Sequence, residues 1–226
     1  MASQKLSVFS ISLKNGISWD TVLQNLLLRA AGDEHYIISE QSEDYIGGCY
    51  IVQIKQNQLL YNVNEQCFES VLVEKQYVLK YDIFAQDGSM MLWGNHKLSS
   101  RFITALTLAS NNLAIIESKE SDYKNVLFNL VDCRDVKFIR MKLHDVVIED
   151  GIIANCSVAL EGRENATQLI KKYIDKVVTV TLQIVNGDNV TAVMLYSSGA
   201  MVIFKDRENI PDQVIDRISS IVRRDA

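Results

Sequence analysis

A single proline, Pro211, stands in a chain of 226 residues. So little proline excludes polyproline linkers and proline-rich recognition tracts. Ten glycines without period exclude collagen-like sequence. No apolar run approaches the roughly 18 residues that a membrane-spanning helix needs; the longest, around Phe102 to Ala109, is short and carries hydroxyls. No apolar h-region follows a basic start, so the reading is a cytoplasmic protein without a membrane partner. In that setting Asn165-Ala166-Thr167 and Asn189-Val190-Thr191 match the glycosylation pattern by chance.

Cation excess is also missing. With 23 Lys+Arg against 28 Asp+Glu, the formal net charge is −5, so a strong non-specific grip on phosphate is not the leading property. Cys49, Cys67, Cys133 and Cys156 form no C-x-x-C pair and lie apart from His35, His96 and His144, so zinc-site spacing is absent. They read as buried, reduced thiols. There is no G-x-G-x-x-G, P-loop or G-x-S-x-G elbow. No cofactor and no metal are therefore assigned. His144-Asp145 is an adjacent pair, and neighbours on a strand point to opposite faces, so the two are not expected to act together.

What the chain does hold is 48% apolar residues in short alternating runs. Residues 6–13 alternate as a strand and end at Asn15-Gly16. Ser18 caps a helix over 19–31 with Gly32 as its stop. Residues 39–44 read as an acidic loop. Strands follow over 45–56, with a bend or bulge at Gly47-Gly48, then over 59–63, 69–74 and 76–84, with a turn at 56–58. Gln86-Asp87-Gly88 turns the chain into Met90–Trp93. A helix opening near Ser99 carries Phe102, Ile103, Leu106 and Ala109 inward. Residues 113–118 read as a strand and 119–124 as a charged break. The second half reads as strands over 136–143, 145–148 and 152–160, and a helix over 165–176. A meander over 177–185, 190–196 and 200–204 follows, then a last helix opening at Pro211.

Hairpin-linked strand runs with single helices between them predict an α+β fold: antiparallel sheets under about four covering helices. The break near Lys119 divides an N-terminal region, 1–118, from a C-terminal region, 119–226. Two segments share one layout. Tyr81–Phe84, Gly88, Met90–Trp93 and the helix at Phe102 align with Val193–Tyr196, Gly199, Met201–Phe204 and the helix at Val214. The alignment points to two pseudo-repeated β-hairpin–helix units.

Two constellations carry candidate chemistry. Glu117-Ser118-Lys119 is an E-x-K at a strand end, the pattern of a divalent-metal nuclease. Such a site needs a second carboxylate, for which Asp82 and Asp87 are the upstream candidates. Lys137, Arg140 and Lys142, interleaved with Val136, Phe138 and Met141, form a local basic strand, and Lys171-Lys172 stand on a helix; these are candidate nucleic-acid contacts. Acidic neighbours surround both constellations. The leading expectation is therefore a non-catalytic protein-interaction or assembly subunit, a homo-oligomer or part of a larger complex, whose sheet edges or last helix serve partners. A nucleic-acid-binding module and the nuclease are its rivals.

Overall fold

The computed structural model describes residues 4–14, 16–30, 32–118, 123–131, 133–149, 151–161, 165–198 and 200–223. Among them the chain is α+β, with eleven strands in antiparallel sheet structure and five helices, one helix more than expected. No described helix is long and apolar enough to cross a membrane. Two units form: Phe9–Glu117, and Met1–Val8 with Ser118–Ala226. Strand β1 (Gln4–Leu13) lends its end to the first and its start to the second.

The first unit runs β1, α1 (Trp19–Leu28), β2 (Glu34–Gln41), β3 (Tyr45–Asn62), β4 (Cys67–Phe84), β5 (Ser89–Trp93), α2 (His96–Ala109) and β6 (Ala114–Ser118). Its strand order is β2-β3-β4-β5-β1, with β6 also on β1. Ser18 caps α1, its hydroxyl accepting from the Thr21 N–H at 3.3 Å. Helix α2 opens at Asn95 rather than near Ser99, because the Asn95 side chain accepts from the Leu98 N–H at 2.9 Å. The core gathers Val22, Leu23 and Leu26 of α1, Phe102 and Leu106 of α2, and Tyr50, Leu79, Tyr81 and Ile83 of the sheet. Tyr81 and Phe102 stack with ring centroids 4.6 Å apart.

Two sequence readings are corrected here. The acidic stretch after Ser39 begins as part of β2: residues 39–41 belong to the strand, whose single fully buried side chain is Tyr36, so an edge strand can carry polar sequence. Gly47 and Gly48 sit inside a continuous β3, and the bulge lies opposite them on β2, between Ile38 and Glu40. Gly48 is required for close approach: a Cβ there would come within 2.1 Å of the Ile37 carbonyl and 2.4 Å of the Tyr81 hydroxyl. That hydroxyl crosses over it to donate to Ile37 O at 3.2 Å.

The second unit holds α3 (Tyr123–Val131), β7 (Val136–Glu149), β8 (Ile152–Ala159), α4 (Ala166–Tyr173), β9 (Val177–Asn186), β10 (Asn189–Tyr196), β11 (Met201–Ile203) and α5 (Asp212–Arg223). Its order is β1-β11-β10-β9-β7-β8. Helix α3, absent from the sequence reading, buries Tyr123, Val126, Leu127, Leu130 and Val131. Its fellow core residues include Phe138, Met141, Val180, Leu182, Val214, Ile215 and Ile218. Arg217 of α5 donates two hydrogen bonds of 3.1 Å to the Asp135 carboxylate, tying α5 to the start of β7. In the two repeat candidates Met90 faces Ile83 and Met201 faces Leu195, with a connection one residue shorter in the second. Gly199 of that alignment lies outside the described residues.

Candidate interaction surfaces

The first unit's most exposed feature is a ribbon made by β3 and β4. These strands pair without interruption from Tyr45↔Phe84 to Asn62↔Cys67, straight through the turn expected at 56–58. Their neighbours stop earlier: β2 reaches only Val52 and β5 only Lys80. From Gln53↔Gln76 outward, ten residue pairs stand as a two-stranded arm, about 30 Å long at 3.4 Å per residue. Ile54 and Tyr77 hold its base against the core.

An isolated two-stranded hairpin is marginal in water, and the tip of this arm is fixed by two local devices. The Asn62 side-chain oxygen accepts from the backbone N–H groups of Asn64 and Glu65, while its amide donates to Glu69 at 2.9 Å. Tyr61 and Phe68, directly opposite, meet edge to face at 5.2 Å. Alternation then places Leu59, Tyr61, Phe68 and Leu72 on one face, 72%, 53%, 69% and 63% exposed. Four large apolar side chains left in water on a fixed ribbon form a patch of the kind that marks a docking surface.

The second unit has a shorter hairpin of the same kind. Beyond Leu143↔Val177, the last β7–β9 pair, β7 and β8 continue through Val146↔Ala154, Val147↔Ile153 and Glu149↔Ile152. Val147, Ile148, Ile152 and Ile153 are exposed there. Two bulges on β7 bend it. At the first, Asp145 has a positive φ of 50° and its N–H donates to the Asn155 side chain at 3.2 Å. This corrects the expectation for His144 and Asp145. The bulge breaks strand alternation, and His144 Nδ1 and the Asp145 carboxylate meet at 2.9 Å.

The sequence-derived catalytic candidates are distributed as follows. Asp82 is buried on β4; one carboxylate oxygen accepts from Tyr45 OH and the other from Trp93 Nε1, both at 2.5 Å. It therefore ties β3 to β5 within the body of the first unit's sheet. Asp87 is exposed in the β4–β5 turn, and Glu117 is exposed on β6. Strand order β4-β5-β1-β6 puts three inter-strand steps between Asp82 and Glu117, on the order of 14 Å. Lys119 lies outside the described residues. No cluster of three metal-ligating side chains occurs among the described residues.

Lys137, Arg140 and Lys142 share one exposed face of β7, while Phe138, Met141 and Leu143 face the core. A register shift between Phe138 and Arg140 produces this: by skipping Ile139 it brings Arg140 back into phase with Lys137. Lys171 and Lys172 are exposed on α4, where Lys172 lies over the Tyr173 ring. The thiols are less buried than expected. Cys67 is exposed at the ribbon's end, and Cys49, Cys133 and Cys156 are half-buried; none of the four is in a disulfide.

A cavity of about 370 Å³ beside β2 and α2 is lined by Arg29, Glu34, Tyr36, Ser100, Arg101 and Thr104. Glu34 binds the Arg101 guanidinium and accepts from Tyr36 OH at 3.1 Å. Burial alone would raise the Glu34 carboxyl, but the Tyr50 hydroxyl, Arg101 and Tyr36 outweigh it and hold it below its ordinary value. Burial, with Glu34 adding to it, pushes the Tyr50 phenol up to about 12. The acid–arginine pair thus meets its own charge requirement inside the cavity. No protein-family model matches the chain, and no curated protein sequence does.

Proposed function

We propose that the chain is a non-catalytic assembly subunit that docks a protein partner through the tip of the β3–β4 arm. The observation that supports this is the four-residue apolar face of Leu59, Tyr61, Phe68 and Leu72, carried about 30 Å out on a two-stranded ribbon. Two of the four are aromatic, the type of side chain that anchors interfaces when it enters a partner pocket. The partner chemistry that fits is an apolar groove or pocket on another protein. Four cysteines outside any disulfide favour a reducing, cytoplasmic setting. The reading is tested by purifying the full chain and a Leu59→Ser/Tyr61→Ser/Phe68→Ser/Leu72→Ser variant from source cells. A defined stoichiometric partner should accompany the first and be lost from the second, with both melting alike. Retention of the partner by the variant would overturn the reading.

A second reading has an observation of its own. The bulge that aligns Lys137, Arg140 and Lys142 creates a basic strip, with Lys171 and Lys172 as further cations, that fits a nucleic-acid backbone. It requires salt-dependent binding of single strands or duplex, weakened by Lys137→Glu/Lys142→Glu; no binding at low salt would exclude it. The repeated meander-then-helix order, β3-β4-β5-α2 and β9-β10-β11-α5, supports a duplicated ancestor for the two units.

A further inference from the structure

The two strand orders end on different kinds of edge. In the first unit the end strand β2 carries Glu34, His35 and Glu40 and a bulge, devices that discourage pairing with another chain. In the second unit the end strand is β8, Ile152-Ile153-Ala154-Asn155-Cys156-Ser157-Val158-Ala159. It has no charge and no proline. Both irregularities of its pairing add residues to β7 and leave β8 evenly spaced. No strand lies on its far side among the described residues.

We propose that β8 pairs antiparallel with β8 of a second copy of the chain, across a two-fold axis at Cys156. The proposal rests on the assembly reading and gives it a specific partner and site. The register follows from backbone phase. The Leu160 N–H donates to Ile139 O at 2.8 Å, so it faces β7. Two-residue alternation turns the backbone groups of Val158, Cys156 and Ala154 the same way. Those of Ala159, Ser157, Asn155 and Ile153 then face outward, toward the open edge.

A two-fold axis normal to the sheet keeps the core-facing sides of both copies together and lets outward residues pair with outward residues. Centring on Cys156 engages all four: Ile153 with Ala159 of the second copy, Asn155 with Ser157, and their symmetry mates. Centring on Asn155 would need the turn residue Gly151. In the Cys156 register every opposed pair is uncharged: Ile153 with Ala159, Ala154 with Val158, Asn155 with Ser157. A strand that meets itself without a like-charge clash is self-complementary, which favours a second copy over an unrelated peptide. The half-burial of Ala154, Cys156 and Val158 is what a sheet's last strand shows when its neighbour is missing. Cys156 faces its mate as a non-hydrogen-bonded pair, the closer of the two antiparallel spacings, about 4.5 Å between Cα atoms.

The test uses the full chain with Cys49, Cys67 and Cys133 changed to Ser, followed by sedimentation in reductant and mild oxidation with copper phenanthroline, which accepts the two electrons released as two thiols become one disulfide. We expect a concentration-dependent dimer and a covalent dimer through Cys156. Ser157→Lys places a charge on the edge without removing any β7–β8 backbone bond; it should weaken the dimer by about 30-fold or more and suppress the crosslink. Ser157→Pro, which removes one outward N–H, should do the same and guards against a Lys-specific effect. The arm variant Leu59→Ser/Tyr61→Ser/Phe68→Ser/Leu72→Ser should keep both dimer and crosslink. A chain that stays monomeric without a Cys156 crosslink overturns the proposal and leaves the arm reading standing. So does a dimer that survives both Ser157 variants. A dimer lost only in the arm variant overturns the proposal and supports the arm as the contact.

Discussion

The β3–β4 arm and the β7–β8 hairpin are the same local motif, two antiparallel strands that outrun their neighbours, yet they expose apolar surface in different ways. The long arm is a ten-pair ribbon that is wet on both strands. What it offers is a face of side chains, with Lys55, Glu74 and Lys75 among the residues along it. The short hairpin extends only three residue pairs past β9 and is bent by bulges. Its free side is backbone, along the uncharged β8. A ribbon with Lys55, Glu74 and Lys75 toward its base and an apolar face toward its tip is suited to insertion into a pocket. A bare last strand is suited to sheet extension.

The largest expected effect comes from untying the sheet that carries the long arm. Asp82→Ala leaves Tyr45 OH and Trp93 Nε1 without their carboxylate acceptor. At about 1–3 kcal/mol per buried unsatisfied group, the first unit should lose about 3 kcal/mol. Amide hydrogen exchange should show protection falling across β3, β4 and β5 but not across β7, β8 and β9. Equal loss in both units would break the comparison.

Next in size is the docking effect. Tyr61→Ser/Phe68→Ser should weaken partner binding by about 10- to 100-fold, the range for truncating an anchor, while the melting temperature holds. A matched Val147→Ser/Ile153→Ser change in the short hairpin should leave that binding unchanged. Equal effects would mean that the two tips act alike. Smaller still, Asn62→Ala removes the acceptor for two turn N–H groups and should cost about 1 kcal/mol. It would be read as faster exchange of residues 63–69 alone.

How much of this the sequence held depends on the kind of signal. Helix α3 is legible in the spacing of Tyr123, Val126, Leu127, Leu130 and Val131, although the charged residues before them resemble a break. Gln56-Asn57-Gln58 resembles a turn by its polarity, yet the arm's strands pair straight through it. A ribbon closed by its own backbone ladder needs no apolar residue there. The role of Asp82 is not readable from sequence, because Tyr45 lies 37 residues away and reaches it only through the β3–β4 pairing. The common face of Lys137, Arg140 and Lys142 depends on a bulge that no residue type announces.

The smallest predicted effect concerns the guarded edge, β2. The Glu34 carboxyl is held below its ordinary value of 4.5 in the folded chain, so its contribution is present above that value and is lost as pH falls through the folded one. Protection of the β2 amides, taken relative to intrinsic exchange at each pH, should therefore fall on acidification toward pH 3 in the wild type. In Glu34→Gln that protection should be lowered already at neutral pH and change little further. An acid response that is the same in both proteins would remove the Glu34–Arg101 pair from the account.

The central claim, that the long arm's tip meets another protein, is tested most directly by photo-crosslinking in source cells. A photoreactive phenylalanine analogue is placed at Phe68 and, as a control, at Asp188, an exposed turn residue of the second unit. The account predicts a discrete crosslinked product from position 68, lost when Leu59, Tyr61 and Leu72 are changed to Ser, and none from position 188. No discrete product at 68, or the same products from both positions, would contradict it.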